Sequence, residues 1–481
     1  MKIFSVAWML AVIVSCGQTP ESVIHEASAL EAGGDFSGAE TVLKEAIKRT
    51  GDHEYRKTLE FEADRLRRIR MDYPYTRERM WEIVESAVKD VTREEFERWV
   101  RGGKFDVRTI DGEERFVNTS RSNLFWRYPD IAARRVNPPE RTAFERRVWE
   151  NARAIRLAAE SAGTSYVLPK TFRVHMTVKA GPNAAPPGKI IRAWLPVPRV
   201  FPFQTDFRLI DQSSEVRLDE EQSPIRSAFM EQTAIEDEPT EFRIEYSYTH
   251  AGIWFRLDPE LAETYEKNDP DVNRFLREDP HVAFSEKMKK VSLEVVADET
   301  NPVKIARAVY EWIAANIKYS YALEYSTIRD LGAYCIENGY GDCGQEALLF
   351  ITLCRMNGIP ARWQSGWFTF PGGKTIHDWT EIYLKPWGWV PVDPYMGIFA
   401  MQYLNSLTDE QKQDVRDFYF GGLDQFRMAA NSDHAQTLRP GKRSMRSDNV
   451  DFQRGELEYD ETNIYFDKYS YRLTAEEILN H

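Results

Sequence analysis

The sequence predicts an α+β protein. Three observations carry that reading: apolar residues recur at helical spacing over the first 160 or so residues, side chains alternate at period two over residues 165–255, and a buried-helix pattern followed by three aromatic strands fills residues 340–393. A length of 481 residues allows about three domains. The net charge of −13 argues against a nucleic-acid partner, which needs a basic face, and 13% aromatic residues argue against disorder over most of the chain.

Residues 1–15 carry one positive charge, Lys2, before an apolar run too short to cross a bilayer, which is the pattern of a secretory signal peptide. Ile13-Val14-Ser15-Cys16 resembles a bacterial lipobox, so Cys16 is expected to be acylated, with Gly17-Gln18-Thr19-Pro20 as a tether. The alternative is ordinary cleavage with an incidental Cys16. The expected product is exported and lipid-anchored to a bacterial membrane, in the periplasm or at the cell surface.

Within residues 16–75, Ala27, Leu30, Gly33-Gly34, Phe36, Ala39, Leu43 and Ile47 resemble one tetratricopeptide-like helix pair. No second copy follows at a 34-residue period, and one repeat cannot bury its own face, so a packing or spacer role is expected. Residues 76–164 continue as charged amphipathic helices (Met80, Val84, Val88; Phe96, Trp99), with a hairpin-like turn at Asp111-Gly112. Residues 165–255 alternate at 172–178, 190–195 and 242–248, with loops at 183–188 and 236–239, and read as an antiparallel β-sandwich. His175 and His250 fall on these strands and are assigned to packing.

Residues 256–400 form the expected catalytic core. Ile305, Val309, Trp312 and Ile313 mark a helix over 302–317, and a loop then leads to Gly341-Asp342-Cys343-Gly344. Leu348, Leu349, Ile351, Leu353 and Met356, stopped by Gly358 and Pro360, predict a buried helix over about 344–357. Cys343 then stands at its N-terminus, where unpaired N–H groups and the helix dipole favour the thiolate. Gly341 and Gly344 are expected to leave room for a substrate carbonyl, with the Cys343 N–H donating to its oxyanion.

Residues 361–368, 377–384 and 389–393 read as strands, the last two joined by a turn at Pro386-Trp387-Gly388. That pairing brings Asp393 across the ladder from His377. Nucleophile, base and orienting carboxylate are thus expected together. Asp378 points to the opposite face of its strand and is expected to be a bystander. Cys354 lies about 16 Å along the helix from Cys343, so it and Cys335 are expected to pack. There is no CxxC, HExxH or Cys/His cluster with ligand spacing, and no Gly-rich nucleotide cradle, so no metal and no cofactor are expected.

Gly-Asp-Cys before a helix, His-Asp-Trp-Thr-Glu-Ile-Tyr on a strand and Gly-Trp-Val-Pro-Val-Asp-Pro closing the next resemble the core of the transglutaminase-like superfamily of cysteine enzymes. The resemblance spans about residues 301–399. It implies a papain-like fold with Cys343 as nucleophile, His377 as base and Asp393 as orienter. An aromatic of the preceding loop, Tyr319 or Tyr321, is implied to assist the oxyanion, and Trp363, Trp367 and Trp379 are candidates to line the cleft. Ala193-Trp194-Leu195-Pro196-Val197-Pro198 resembles the β module that precedes such cores. Residues 401–481 are expected to add a helix and a terminal β-hairpin that wall the cleft.

The family cross-links proteins, hydrolyses peptides and removes glycans, so chemistry is better fixed than substrate. The expected function is acyl transfer at an amide bond of a protein or peptide substrate through a thioester. Hydrolysis comes first, protein-glutamine cross-linking second and an inactive surface scaffold third.

Overall fold

A computed structural model describes residues 19–263 and 270–479; the expected leader and Cys16 lie outside the described residues. The chain divides into two compact units, one of residues 19–81 with Asp106–Asn118, the other of Glu82–Phe105 with everything from Thr119 on.

Among the described residues the first unit contains the helices Pro20–Ala32, Phe36–Arg49 and His53–Asp72 and the start of Arg77–Ala87. Thr19, Asp35 and Asp52 cap them, each side chain accepting a backbone N–H of the first turn. The apolar face that a helix pair leaves open is closed by the third helix, whose Leu59, Leu66 and Ile69 are buried like Phe36 and Leu43. A hairpin, Val107–Ile110 with Glu113–Phe116, turns at Asp111 and Gly112, both at positive φ (49° and 83°), as an Asp-Gly two-residue turn requires. Arg65 pairs with Glu31 and Glu62, and Arg108 of the hairpin reaches Glu31 at 2.6 Å.

In the second unit two antiparallel sheets share one core. Tyr166–Ala180 and Thr240–Trp254 pair in the centre of the first sheet, and Ile190–Pro196 and Ser227–Thr233 in the second. Val174, Met176 and Val178 of one sheet meet Ile191, Ala193, Leu195 and Met230 of the other, with Val148, Ala152 and Ile155 of the helix Thr142–Ala162 in the same cluster. His250 is buried in this region with Nδ1 2.7 Å from the Ala251 carbonyl, whereas His175 is partly exposed beside Glu245.

A third sheet has the order Gly388–Val392, Thr375–Leu384, Ala361–Phe368, Arg427–Asn431, all antiparallel. The helix Cys343–Met356 packs against it, with Leu348, Leu349, Ile351 and Leu353 buried among Ile382, Val390 and Val392 on one side and Ile305, Val309 and Ile313 of the helix Pro302–Asn316 on the other.

Sheets cross the boundaries drawn at 255 and 400. Tyr469–Ile478 pairs along Tyr166–Ala180, Glu456–Tyr459 along Ile190–Pro196, and Arg427–Asn431 along Ala361–Phe368. An edge strand exposes a row of unpaired N–H and C=O groups, and here the chain's own tail satisfies them. Residues 401–481 therefore complete the sandwich and the third sheet rather than only walling a cleft. Among the described residues no helix is long and apolar enough to cross a membrane.

Candidate active site

Asp342 caps the helix that opens with Cys343. Its carboxylate accepts the Gln345 N–H at 3.1 Å while the Gln345 side chain accepts the Asp342 N–H at 3.1 Å, a reciprocal pair that fixes the first turn. A two-residue parallel pairing of Lys318–Tyr319 with Tyr340–Gly341 ties the preceding loop alongside. Cys343 is partly exposed at this end.

The space expected at the glycines is already filled. A Cβ on Gly344 would meet the Tyr325 hydroxyl at 2.1 Å and the Trp363 ring at 2.8 Å, and one on Gly341 would meet Cys335 Sγ at 2.9 Å. On the side where a Cβ would project, these glycines admit the protein's own side chains.

His377 and Asp393 are brought together. The ladder pairs Thr380 with Val392, and the chain leaves the sheet at Asp393, which caps the helix Pro394–Tyr403. His377 Nε2 lies 2.8 Å from Asp393 Oδ2. The carboxylate also accepts the Met396 N–H at 3.0 Å and meets Arg427 Nη1 at 3.0 Å; Arg427 in turn pairs with Asp424 at 2.9 Å. Asp393 and Arg427 are fully buried. Tyr395 packs edge-on to the imidazole at 5.2 Å.

Consecutive strand residues face opposite ways, so Asp378 leaves the face that His377 shares with Asp393. It is no bystander there: the Cys343 thiol donates to Asp378 Oδ2 at 3.3 Å. The Tyr325 hydroxyl lies 3.2 Å from the same oxygen and 2.9 Å from both oxygens of Asp342. Gln453 Nε2 reaches Asp378 Oδ1 at 2.7 Å and the His377 carbonyl at 2.9 Å. The thiol's hydrogen bond in this structure thus goes to Asp378, not to His377.

Burial pushes the Cys343 thiol well up, and the neighbouring carboxylates of Asp378 and Asp342 push it further. Burial also raises Asp378 well above the carboxylate range, helped by Asp451 and Asp342, and raises Asp342 to about 6. Burial lowers His377, with the Asp393 charge opposing it. Asp393 goes the other way: burial alone would raise it, but His377 and Arg427 outweigh that and hold it below the ordinary carboxylate value. Burial thus favours the neutral form of both the thiol and the imidazole, while His377 and Arg427 favour the ionised form of Asp393.

Tyr319, half-buried, stands edge-on between Tyr395 at 5.0 Å and Trp126 at 4.7 Å, beside the site. The three tryptophans expected to line the cleft are buried, Trp367 with its Nε1–H on the Gln453 carbonyl at 3.1 Å. Trp363 has no exposed surface, and Trp379 is 2% exposed, clustered with Phe201, Phe203, Ile253 and Leu423. Period-two aromatics on a strand buried on both faces look the same in sequence as a cleft lining, and here they fill the core. Cys335 and Cys354 are both fully buried. Tyr325, Arg427 and Gln453 were invisible to motif reading because they come from a loop and from the tail. Asp279, Asp433 and His434 have donor atoms within 4.8 Å of one another, a set drawn from two distant loops that no linear spacing reveals; Arg274 already pairs with Asp433 there.

Residues 289–394 match the family model of the transglutaminase-like superfamily, so this chain contains a transglutaminase-like core. The match includes Cys343, His377 and Asp393 and begins somewhat before the range read from the motifs. The uncharacterized protein YebA of Bacillus subtilis is 23% identical over 192 residues, 35% of this chain and 26% of that protein. An uncharacterized protein of Haemophilus influenzae is 25% identical over 175 residues, 31% of this chain and 47% of its own length. The chain thus spans less than half the length of either relative. Among solved structures, a candidate cysteine protease from Cytophaga hutchinsonii aligns at a TM-score of 0.43 and 17% identity, over 65% of this chain and 92% of its own. The periplasmic domain of TgpA from Pseudomonas aeruginosa aligns at 0.27 and 18%, over 54% and 96%. The family match supports a cysteine-based enzyme in general terms.

Proposed function

We propose that this chain is an exported, lipid-anchored cysteine hydrolase that cleaves amide bonds of a protein or peptide substrate through a Cys343 thioester. The observation that carries the reading is the 2.8 Å contact of His377 Nε2 with Asp393, in the core whose principal helix opens with Cys343. With Nε2–H donating to the carboxylate, Nδ1 keeps the lone pair that a base needs.

In this reading Cys343 Sγ leaves Asp378 by rotation about its Cα–Cβ bond and attacks the amide carbonyl as His377 takes the thiol proton. The S–C bond forms, the C–N bond breaks, and His377 returns the proton to the departing amine. Water then adds to the thioester, with His377 as base, and releases a carboxylic acid and the thiol. Hydrolysis is favoured over cross-linking because an exported enzyme meets abundant water and no residue pattern marks a site for an amine acceptor.

An electrophilic thiol reagent tests the chemistry. Cys343 should label rapidly and be protected by substrate, while the buried Cys335 and Cys354 react only on unfolding. Peptide and amide libraries analysed by mass spectrometry should show hydrolysed products that Cys343→Ala and His377→Ala each reduce to background. An inert Cys343 with no product would leave a binding scaffold. Products extended by an added amine would mean cross-linking.

The anchor is tested separately, since Cys16 has no part in catalysis. Cys16→Ser should move the protein from the membrane to the soluble fraction with the specific activity of the purified body unchanged. Wild-type protein carrying no lipid at a mature N-terminus elsewhere would remove this part of the proposal.

A further inference from the structure

Beside the site lies an open groove of about 740 Å³ lined by three arginines, Arg121, Arg135 and Arg141, and by Phe125, Trp126 and Tyr321. Among the described residues none of the three guanidinium groups has a carboxylate at ion-pair distance, whereas most other arginines of this chain do. Arg135 stacks on Phe125 at 4.9 Å and Arg141 on Trp126 at 4.9 Å, which leaves their planar N–H edges free for a ligand. Burial lowers the pKa of Arg135, and the charges of Arg121 and Arg141 lower it further, so the three sense one another.

Like charges held together without ion-pair partners are unfavourable unless something negative completes them. Glu140 and Glu145 also line the groove and leave it a formal excess of one positive charge; Glu140 accepts the Thr142 N–H at 2.8 Å, Glu145 accepts the N–H of Ser406 at 2.8 Å and its hydroxyl at 2.6 Å, and neither pairs with the three guanidinium groups. In a chain of net charge −13, which repels anions elsewhere, a local cationic groove selects for them.

The groove is connected to the chemistry by packed rings. Tyr395 lies 5.2 Å from the His377 imidazole, Tyr319 lies 5.0 Å from Tyr395, and Trp126 and Tyr321 lie 4.7 Å and 5.5 Å from Tyr319. A peptide extended from the reacting carbon covers that path in about five residues at roughly 3.3 Å each.

We propose that this groove binds an acidic stretch of the peptide substrate, with Arg121, Arg135 and Arg141 pairing with its carboxylates while Phe125, Trp126 and Tyr321 border its backbone. The proposal rests on the hydrolase reading and adds the substrate class to it. Planar guanidinium forks suit carboxylates, and exposed pairs of this kind confer discrimination and faster encounter more than great affinity.

Binding is measured on the Cys343→Ala protein, so that no turnover is needed. The probes are an extended heptapeptide carrying three glutamates and the same peptide with three glutamines, each bearing a neutral dye, followed by fluorescence anisotropy. The acidic peptide should bind about tenfold more tightly at low salt, and the difference should collapse near 0.5 M salt, where the Debye length falls to roughly 4 Å. The triple variant Arg121→Gln, Arg135→Gln, Arg141→Gln, checked by thermal melting, should bind both peptides alike. Equal binding by the parent, or unchanged discrimination in a folded triple variant, overturns the proposal. So does a triple variant that keeps peptide discrimination but loses binding to phosphatidylglycerol vesicles, which would make the groove a lipid site. Rapid electrophile labelling of wild-type Cys343 without peptide discrimination sinks the groove and leaves the hydrolase reading standing.

Discussion

Asp378 shows how much one side chain decides about the surroundings of Cys343. Its carboxyl accepts a hydrogen bond from the thiol at 3.3 Å and is itself held by Gln453 and Tyr325, so at rest the thiol is directed to Asp378. Its effect on the thiol has a definite sign: the charge of Asp378 raises the Cys343 pKa, so Asp378→Asn, which keeps the shape, should move the pH profile of electrophile labelling to lower pH. Turnover should change by less than about tenfold, because in the proposed mechanism Asp393, not Asp378, orients the base. Asp393→Asn should instead cost about 10²- to 10⁴-fold in kcat by imposing the wrong tautomer on His377, as in serine triads. An unshifted labelling profile in Asp378→Asn would show that the contact has no bearing on the thiol. A loss in that variant as large as in Asp393→Asn would make Asp378 the working carboxylate. The strand period was enough to place Asp378 on the face opposite His377. It said nothing about what packs against that face, and that is where the bystander reading failed.

At the scale of single elements the outcome depended on how local the signal was. The helix read over about 344–357 runs Cys343–Met356, and that read over 302–317 runs Pro302–Asn316, because apolar spacing, Asn301 and Asp342 as caps, and Gly358 with Pro360 as stops all act within a few residues. The Asp111-Gly112 turn was legible for the same reason. Pro391 pairs with Glu381, and the ladder then delivers Asp393 one residue past the last strand position. What failed at this scale needed distant partners. Gly344 is small because Tyr325 and Trp363 crowd it, and neither is near it in sequence. Trp363 and Trp379 sit on strands covered on both faces, so their alternation carries no exposed side. Gln453 and Arg427, which brace His377 and Asp393, belong to the tail and have no motif of their own.

Over the whole molecule, the part that matches the family is the smaller share of what holds the site. Residues 289–394 contain Cys343, His377 and Asp393, yet Arg427, Gln453 and the strands that complete the sheets come later. A chain ending at Asn431 keeps the family core and all four strands of the sheet that carries His377 but loses Glu456–Tyr459, Thr462–Ile464 and Tyr469–Ile478. It leaves Tyr166–Ala180 with an open edge over the ten positions that Tyr469–Ile478 pairs. It also uncovers the core against which Leu457, Ile464, Tyr469 and Ala475 are buried. Larger apolar side chains such as Leu457 and Ile464 contribute about 1.5–3 kcal/mol each, so the loss is comparable to the roughly 5–15 kcal/mol that holds a typical domain folded. The truncated protein should therefore fail to give a soluble product with a cooperative melt, and should lose the selective labelling of Cys343. The conservative comparison is Gln453→Ala in the full chain, which should melt cooperatively within a few degrees of wild type while turnover falls, since it removes one brace and leaves the strands in place. If the product ending at Asn431 melts cooperatively and still labels at Cys343, the tail is an appendage, and the family core stands without it.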